Sequence, residues 1–250
     1  MKKFLLLIFP LIGFSSAWGE ISIQNDQQFF SDDGSLHIVG EIKNNLNVPI
    51  NQIKIDATLY SNGILIDTIQ ISPMLNTVMP EMKNPFDIII TGYVAREIDE
   101  YSLSVSYKIT EPKSQVIDIT KSNFSRDNFD NLLITGTVAN RGEITANTVV
   151  VVATLYDKNG NVAAVSKTHV EPDYLRANDE SFFFVPVPDK MQSSYIVDYS
   201  LAAESEEYTA VPEFPFGSML LLTTSVSAYV VLTRYSSKFI GNLVSAVNPK

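Results

Sequence analysis

The 250-residue chain contains no cysteine and carries a formal net charge of -10, with a pI near 4.7. The absence of cysteine excludes disulfides, thiolate nucleophiles, and zinc or iron–sulfur sites built on thiolates. An acidic surface repels phosphate backbones, so we expect no nucleic-acid partner.

The first residues have the pattern of a secretory signal peptide. Two lysines precede an apolar run from Phe4 to Phe14, and the small residues Ser15 and Ala17 indicate a cut before Trp18 or two residues later. We assign residues 1–19 to this signal, and whether it is removed stays open. Export of the chain is therefore expected.

The region after the signal contains an internal duplication. A shift of 96 residues aligns two copies without a gap, up to the identical runs Ala57–Tyr60 and Ala153–Tyr156. One inserted residue, Lys158, changes the shift from that point onward. Repeats of this kind decide the architecture, so we assign residues 20–111 and 112–205 to two tandem domains, the first copy and the second copy.

Each copy alternates apolar and polar residues at a period of two, which predicts β-strands. The alternation is clear over 36–42 and 53–59 and over the matching residues of the second copy. The Asn-Gly pairs at 62–63 and 159–160 favour type I′ turns, so each predicts a two-residue hairpin. We therefore predict an all-β fold with two tandem immunoglobulin-like β-sandwiches, because a half-apolar sheet must cover one face with another sheet.

The second copy carries the residues of a known pattern. A Gly-x-Val-x-Asn strand at 136–140 is followed by Leu155-Tyr156-Asp157 at the end of an apolar strand and then by Asn159-Gly160. This order resembles the FxLYD domain of exported prokaryotic proteins, and the likeness covers most of residues 20–204. The resemblance implies a surface or interaction role rather than a reaction.

A linker, residues 206–215, follows the second copy. Its end, together with the next residues, reads Val211-Pro-Glu-Phe-Pro-Phe-Gly217, which is similar to the PEF-type C-terminal sorting signals of ammonia-oxidising archaea. The resemblance implies membrane insertion, and it leaves open whether the motif is cleaved. Pro212 and Pro215 cannot donate in a β-ladder, so a preceding strand must end before them.

Residues 216–233 predict a C-terminal transmembrane helix. They lie in an uncharged stretch of about 20 residues between Glu213 and Arg234, enough for a helix to cross a hydrocarbon core. Acidic residues precede the stretch and basic residues follow it, so the positive-inside rule places the basic tail, residues 234–250, in the cytoplasm. A buried helix of a soluble domain is the alternative.

No catalytic or cofactor site is predicted. The two histidines, His37 and His169, are not equivalent in the duplication, and two imidazoles without a cysteine give too few ligands or bases for a metal centre or a hydrolytic site. We therefore expect no catalytic residues, no cofactor and no enzymatic activity.

Two weaker sites follow from clustered polar residues. Asp32, Asp33, Asp127 and Asp130 precede equivalent strands and are candidates for calcium, although a turn role is the alternative reading. Asn123 begins the single N-x-S/T sequon of the chain and is a candidate for glycosylation.

The function predicted from these features is a non-enzymatic, single-pass protein of the cell membrane with extracellular domains. It would support an envelope assembly or act as a protein-interaction module, with the membrane and other envelope or membrane proteins as partners. The alternatives are an extracytoplasmic ligand- or calcium-binding ectodomain and an accessory subunit of a membrane enzyme complex. The identity of the partner and the oligomeric state stay open.

Overall fold

The structure, a computed structural model, describes residues 20–127, 131–187 and 190–211. The described residues belong to one compact unit that ends at Val211. The predicted signal, transmembrane helix and tail lie outside the described residues, as does Asp130. Within the described ranges, no helix is long and apolar enough to cross a membrane.

The described chain is almost entirely β, as the alternation predicts. The strands of the first copy are β1 (Ile21–Phe30), β2 (Leu36–Asn44), β3 (Ile50–Ser61), β4 (Ile64–Ile71), β5 (Thr77–Val78), β6 (Lys83–Ile90) and β7 (Glu100–Ile109). Those that follow are β8 (Gln115–Arg126), β9 (Leu132–Asn140), β10 (Val150–Asp157), β11 (Val162–His169), β12 (Glu180–Pro186), β13 (Ile196–Glu204) and β14 (Thr209–Ala210). The described helical segments are a 3-10 turn at Tyr93–Arg96 and one helical turn, α1, at Lys190–Ser193.

Each copy folds into a β-sandwich of two sheets. In the first copy, β1-β2-β6 form one sheet, and β3 pairs with β4, β5 and β7 in the other. In the second copy, β12-β9-β8 form one sheet and β11-β10-β13 the other. The strand β14 lies within the predicted linker and extends the β8 edge by parallel pairing. The matching pairings show that the duplication in sequence is a duplication of structure.

The alternating apolar residues fill two separate cores. Ile38, Ile55 and Phe86 are fully buried in the first, and Ile134 and Phe183 are buried in the second. Fully burying a side chain of this size contributes about 1.5–3 kcal/mol relative to exposure. Each sandwich therefore has the core that a chain without disulfides requires.

A glycine and a phenylalanine face each other at the same place in both copies. Gly40 on β2 pairs with Phe86 on β6, and Gly136 on β9 pairs with Phe183 on β12. A Cβ atom added to Gly40 would lie 2.6 Å from Cζ of Phe86, which is closer than van der Waals contact permits. The repeated glycine thus makes room for the ring of its cross-strand partner.

A buried asparagine closes the same strand in both copies. The Nδ2 group of Asn44 donates to the carbonyl oxygens of Val48 and Val78 at 3.0 and 2.9 Å. In the second copy, Asn140 Nδ2 donates to the carbonyl oxygen of Ile144 at 2.8 Å and to a carbonyl of the neighbouring loop. Both asparagines have an exposed fraction of 0%. Each one therefore ties the end of its strand to the loops beside it through hydrogen bonds to their carbonyl oxygens.

The two Asn-Gly pairs form different turns. Asn62 and Gly63 have φ angles of 51° and 74°, which are the two positive values of the predicted type I′ hairpin. The inserted Lys158 lengthens the second loop to three residues, closed by the Asp157 N–H donating to the Asn161 carbonyl at 3.0 Å. Gly160 keeps a positive φ of 85° in that loop. The prediction of a second hairpin is therefore confirmed, and the prediction of a two-residue turn in it is wrong.

Candidate functional site: the interface between the copies

The outer face of the β1-β2-β6 sheet packs against the second copy. Along β2, Ile38 points into the first core, and Val39 points the opposite way yet also has an exposed fraction of 0%. Val39 belongs to a third apolar cluster that joins the two copies. The buried members of this cluster are Val39, Leu75, Val152, Val162 and Val165. The copies therefore share an apolar interface in addition to their own cores.

A buried carboxylate, Glu41, lies in this interface. Its side chain has an exposed fraction of 0%, and Oε1 accepts hydrogen bonds from Lys83 Nζ at 2.5 Å and Asn25 Nδ2 at 2.6 Å. Its Oε2 accepts a hydrogen bond from the Tyr156 hydroxyl of the second copy at 2.9 Å. A buried charge is tolerated only when it is paired and hydrogen-bonded, and here both oxygens have partners.

Tyr156 belongs to the Leu-Tyr pair that the two copies share. Its hydroxyl donates a hydrogen bond to the Glu41 carboxylate of the other copy. The Lys83 ammonium lies 5.8 Å from the centroid of the same ring, within the range of a cation–π contact. Burial, together with the Glu41 charge, raises the pKa of the Tyr156 phenol, so the hydroxyl stays a donor.

A second buried carboxylate crosses the interface in the other direction. Glu204 of the second copy is 2% exposed, and its Oε1 accepts from the backbone N–H and side-chain amide of Asn76 at 2.7 and 3.0 Å. Burial raises the pKa of Glu204, although the N–H groups of Asn76 and Thr77 and the charge of Lys167 act against that shift. Lys167 Nζ also donates to the Met74 carbonyl of the first copy at 2.7 Å.

The second copy packs on the first copy through the outer face of its β10 sheet. The equivalent face of the first copy, the outer face of the β3 sheet, has different residues. A shift of 96 residues places Lys54 and Asp56 where the second copy has Val150 and Val152. Val150 and Val152 are buried, whereas Lys54 is exposed. The face that packs on the other copy is therefore apolar in the second copy alone.

One sequence signal for this interface was available and was missed. In β10, the residues from Val150 to Leu155 are all buried, so this strand is covered on both faces. A continuous apolar run at 149–153 is typical of such a strand, whereas period-two alternation is typical of a strand with one wet face. No comparable signal identifies the Glu41–Tyr156 contact.

Replacement of Glu204 by glutamine is expected to change how stability depends on pH. Because its folded pKa is raised above the ordinary 4.5, ionised Glu204 costs stability at neutral pH, and that cost disappears as pH falls through the folded pKa toward 4.5. Glu204→Gln keeps an amide oxygen for Asn76 and should be at least as stable as the natural chain at pH 7. Urea unfolding between pH 4 and 8 measures this difference, which should shrink as the pH falls.

Glu171→Gln provides the control for this experiment, because it removes a carboxylate that is exposed. An advantage of Glu204→Gln that grows toward low pH would contradict the assignment. The same pH profile for both variants would show that the burial of Glu204 has no part in the effect.

His37 takes part in a serine–histidine–aspartate arrangement on the rim of the interface. Its Nδ1 lies 2.9 Å from Asp87 Oδ1, and its Nε2 lies 3.3 Å from Ser35 Oγ. The Phe29 ring stacks on the imidazole with centroids 5.1 Å apart. The Ser35 hydroxyl, however, donates to Asp33, so its proton is directed away from the imidazole.

The serine and the histidine also face different spaces. Ser35 lines a surface cavity of about 450 Å³ with Tyr93 and Arg96, whereas His37 and Asp87 line a neighbouring cavity of about 270 Å³, and Asp33 lines both. A hydrolytic serine gives its proton to its base as it attacks the substrate, whereas the Ser35 proton is directed to Asp33. His169 lies at the end of β11, apart from these groups in the chain.

The described calcium candidates, Asp32, Asp33 and Asp127, lie between β1 and β2 or directly after β8. Asp33 Oδ1 accepts hydrogen bonds from the backbone N–H and hydroxyl of Ser35, and these bonds lower the pKa of Asp33. Asp127 accepts from the backbone N–H and side-chain amide of Asn131, both at 2.8 Å. Asp32 lines the smaller cavity beside His37. Within the described ranges, no three carboxylates or imidazoles are grouped as metal ligands, and the calcium site stays a prediction.

The comparisons with known proteins give a distant structural likeness. No family model and no curated protein matches the chain. Among solved structures, an exo-chitosanase from Amycolatopsis orientalis is 12% identical with a TM-score of 0.27, covering 76% of this chain and 26% of that one. Red sea bream transglutaminase is 11% identical with a TM-score of 0.24, covering 79% and 32%. The chain thus spans about a third or less of these proteins, and the FxLYD and PEF resemblances stay predictions.

Proposed function

We propose that this chain is a non-enzymatic, membrane-anchored cell-surface protein whose two immunoglobulin-like sandwiches act as one rigid envelope-support or protein-interaction module. The signal pattern at 1–19 and the apolar segment at 216–233 support export and anchoring. The FxLYD-like and PEF-like residues support the same location. Fold alone does not define a function, so the proposal depends on how the two copies are joined.

The buried interface between the copies is the observation that carries the proposal. Tandem domains usually move relative to one another unless their interface is large and apolar. Here an apolar cluster is flanked by two buried carboxylates, Glu41 and Glu204, each bonded to the other copy. Such an interface holds two sandwiches in one orientation, which is useful for a spacer or a docking module and unnecessary for two independent binding domains.

The histidine arrangement supports a non-enzymatic reading. The hydroxyl of Ser35 is committed to Asp33, and Ser35 and His37 line different cavities. A fluorophosphonate probe should therefore leave the purified chain unlabelled. Labelling that is lost in Ser35→Ala would show that the serine is a nucleophile and would contradict the proposal.

Limited proteolysis of intact cells tests the location and the anchoring. A protease added outside should remove the two sandwiches and spare an epitope attached at Lys250. Loss of the epitope with the sandwiches intact would reverse the orientation, and complete protection of both would contradict surface exposure. Crosslinking on the same cells should capture envelope or membrane proteins, whereas purification of one defined enzyme complex would favour the accessory-subunit alternative.

A further inference from the structure

The second copy has one sheet face that no described part of the chain covers. On β12, Phe183 and Val185 point into the core, while Phe182 and Phe184 point outward with exposed fractions of 61% and 47%. These two exposed phenylalanines, two residues apart on one strand, leave apolar surface in contact with water. We call the outer face of the β8-β9-β12 sheet the aromatic face.

The same face of the first copy lies under the second copy. By pairing register, Phe182 lies opposite Thr137 and corresponds to Pro85, which lies opposite Glu41. In the first copy both Pro85 and Glu41 are buried, and Glu41 bonds to Tyr156 of the second copy. In a head-to-tail stack, the next chain would cover the aromatic face with its own first copy, whose matching face carries Lys54 and Asp56. Head-to-tail stacking of chains is therefore disfavoured.

Asn123 lies on the aromatic face, in register with one of its phenylalanines. Asn123 pairs with Thr135 across β8 and β9, and Phe184 pairs with the same Thr135 across β9 and β12. Neighbouring strands are about 4.8 Å apart, so the backbones of Asn123 and Phe184 are separated by about 10 Å. Asn123 is exposed, and Ser125, two residues along the strand, completes the sequon on the same face.

We propose that a glycan attached to Asn123 lies across Phe184 and Phe182 and covers the aromatic face. The covalent step joins Asn123 Nδ2 to the anomeric carbon of a glycosyl phosphate donor, while the phosphate leaves and the amide loses one proton. The first sugar rings then place their C–H faces on the exposed aromatic rings, which removes apolar surface from water. The proposal rests on the proposed function, because the chain must be exported to be glycosylated.

The test begins with the intact mass of the protein purified from its native membranes. A sugar mass is expected in the natural chain and should be lost in both Asn123→Gln and Ser125→Ala. Protein at the cell surface without that mass would overturn the inference and leave the proposed function standing. Protein confined to the cytosol and lacking the mass would overturn both.

A double-mutant cycle then tests the contact between the sugar and the ring. Phe184→Ser should lower the melting temperature of the glycosylated chain by about 2–4 °C, the shift that 1 kcal/mol gives in a protein of this size. In the Asn123→Gln background, the same substitution should leave the melting temperature unchanged or raise it. Ile144→Ser, at a residue that is 57% exposed outside β8, β9 and β12, is the control and should give the same shift in both backgrounds.

Two results of this cycle would overturn the contact. Equal shifts for Phe184→Ser with and without Asn123 would mean that the glycan does not lie on the ring. A dimer of the natural, glycosylated chain that depends on Phe184 would mean that another protein molecule covers the aromatic face instead.

Discussion

Replacement of Gly136 by alanine is expected to destabilise the protein by about 3 kcal/mol, the upper end of the usual cost of overpacking a core. The new methyl group would lie 2.7 Å from Cε1 of Phe183 and would also meet the carbonyl oxygen of Lys121 on the neighbouring strand. The ring is 1% exposed and the carbonyl belongs to the sheet, so neither can move freely. Urea unfolding should show a lower midpoint with an unchanged m-value.

Gly34→Ala is the matched control for this substitution. Gly34 has a φ of 81°, and no atom lies within 4 Å of a Cβ built there, so the control carries backbone strain without a steric clash. That strain costs about 1–2 kcal/mol. Equal losses for the two variants would contradict the role assigned to the Gly136–Phe183 contact.

Replacement of Glu41 by alanine is expected to cost about 3 kcal/mol, at the lower end of the range for breaking a buried ion pair. The change removes the Glu41 acceptor from the Asn25 amide and from the Tyr156 hydroxyl, which keeps a longer contact of 3.4 Å with Ser200 Oγ. Lys83 is 43% exposed and can recover hydration, which limits the loss. Equilibrium unfolding of the natural protein and the variant in urea measures the difference in the free energy of unfolding.

Tyr156→Phe removes the hydrogen bond between the copies and keeps the Glu41–Lys83 ion pair, so it measures the first contribution without the second. It removes one hydrogen bond to a charged group and should cost about 1.5–3 kcal/mol. Tyr60→Phe changes the equivalent tyrosine of the first copy, and a half-buried substitution of this type should stay within about 0.5 kcal/mol. If Tyr156→Phe were as mild as Tyr60→Phe, the bond across the interface would contribute nothing to stability.

Much of the fold was predictable because it depends on local patterns. The alternation over 36–42 predicted a strand with a buried face, and the Asn62-Gly63 pair predicted a tight turn. The turn at 159–160 was missed because the inserted Lys158 changes the loop length, which selects the turn type. Loop length and the Asn-Gly signal together select the turn type, and both can be read from the sequence.

The interface was less predictable because it depends on which outer faces meet. Glu41 stands among apolar residues of β2 and reads as a solvent-facing position of an alternating strand. Its burial becomes evident only when Tyr156, more than one hundred residues later, lies beside it. The buried run in β10 signals a second covered face, but it does not identify the covering surface. Pairwise contacts of this kind follow from the packing of sheets and have no local sequence signature.

The central claim is that the two copies form one rigid module, and the distance between them tests it most directly. Because the chain has no cysteine, Thr68→Cys and Lys158→Cys place one spin label on an exposed residue of each copy. Double electron–electron resonance should give a single narrow distribution of distances between the two labels. Glu41→Ala should broaden that distribution. A broad distribution in the otherwise natural chain would show that the copies move independently and would contradict the claim.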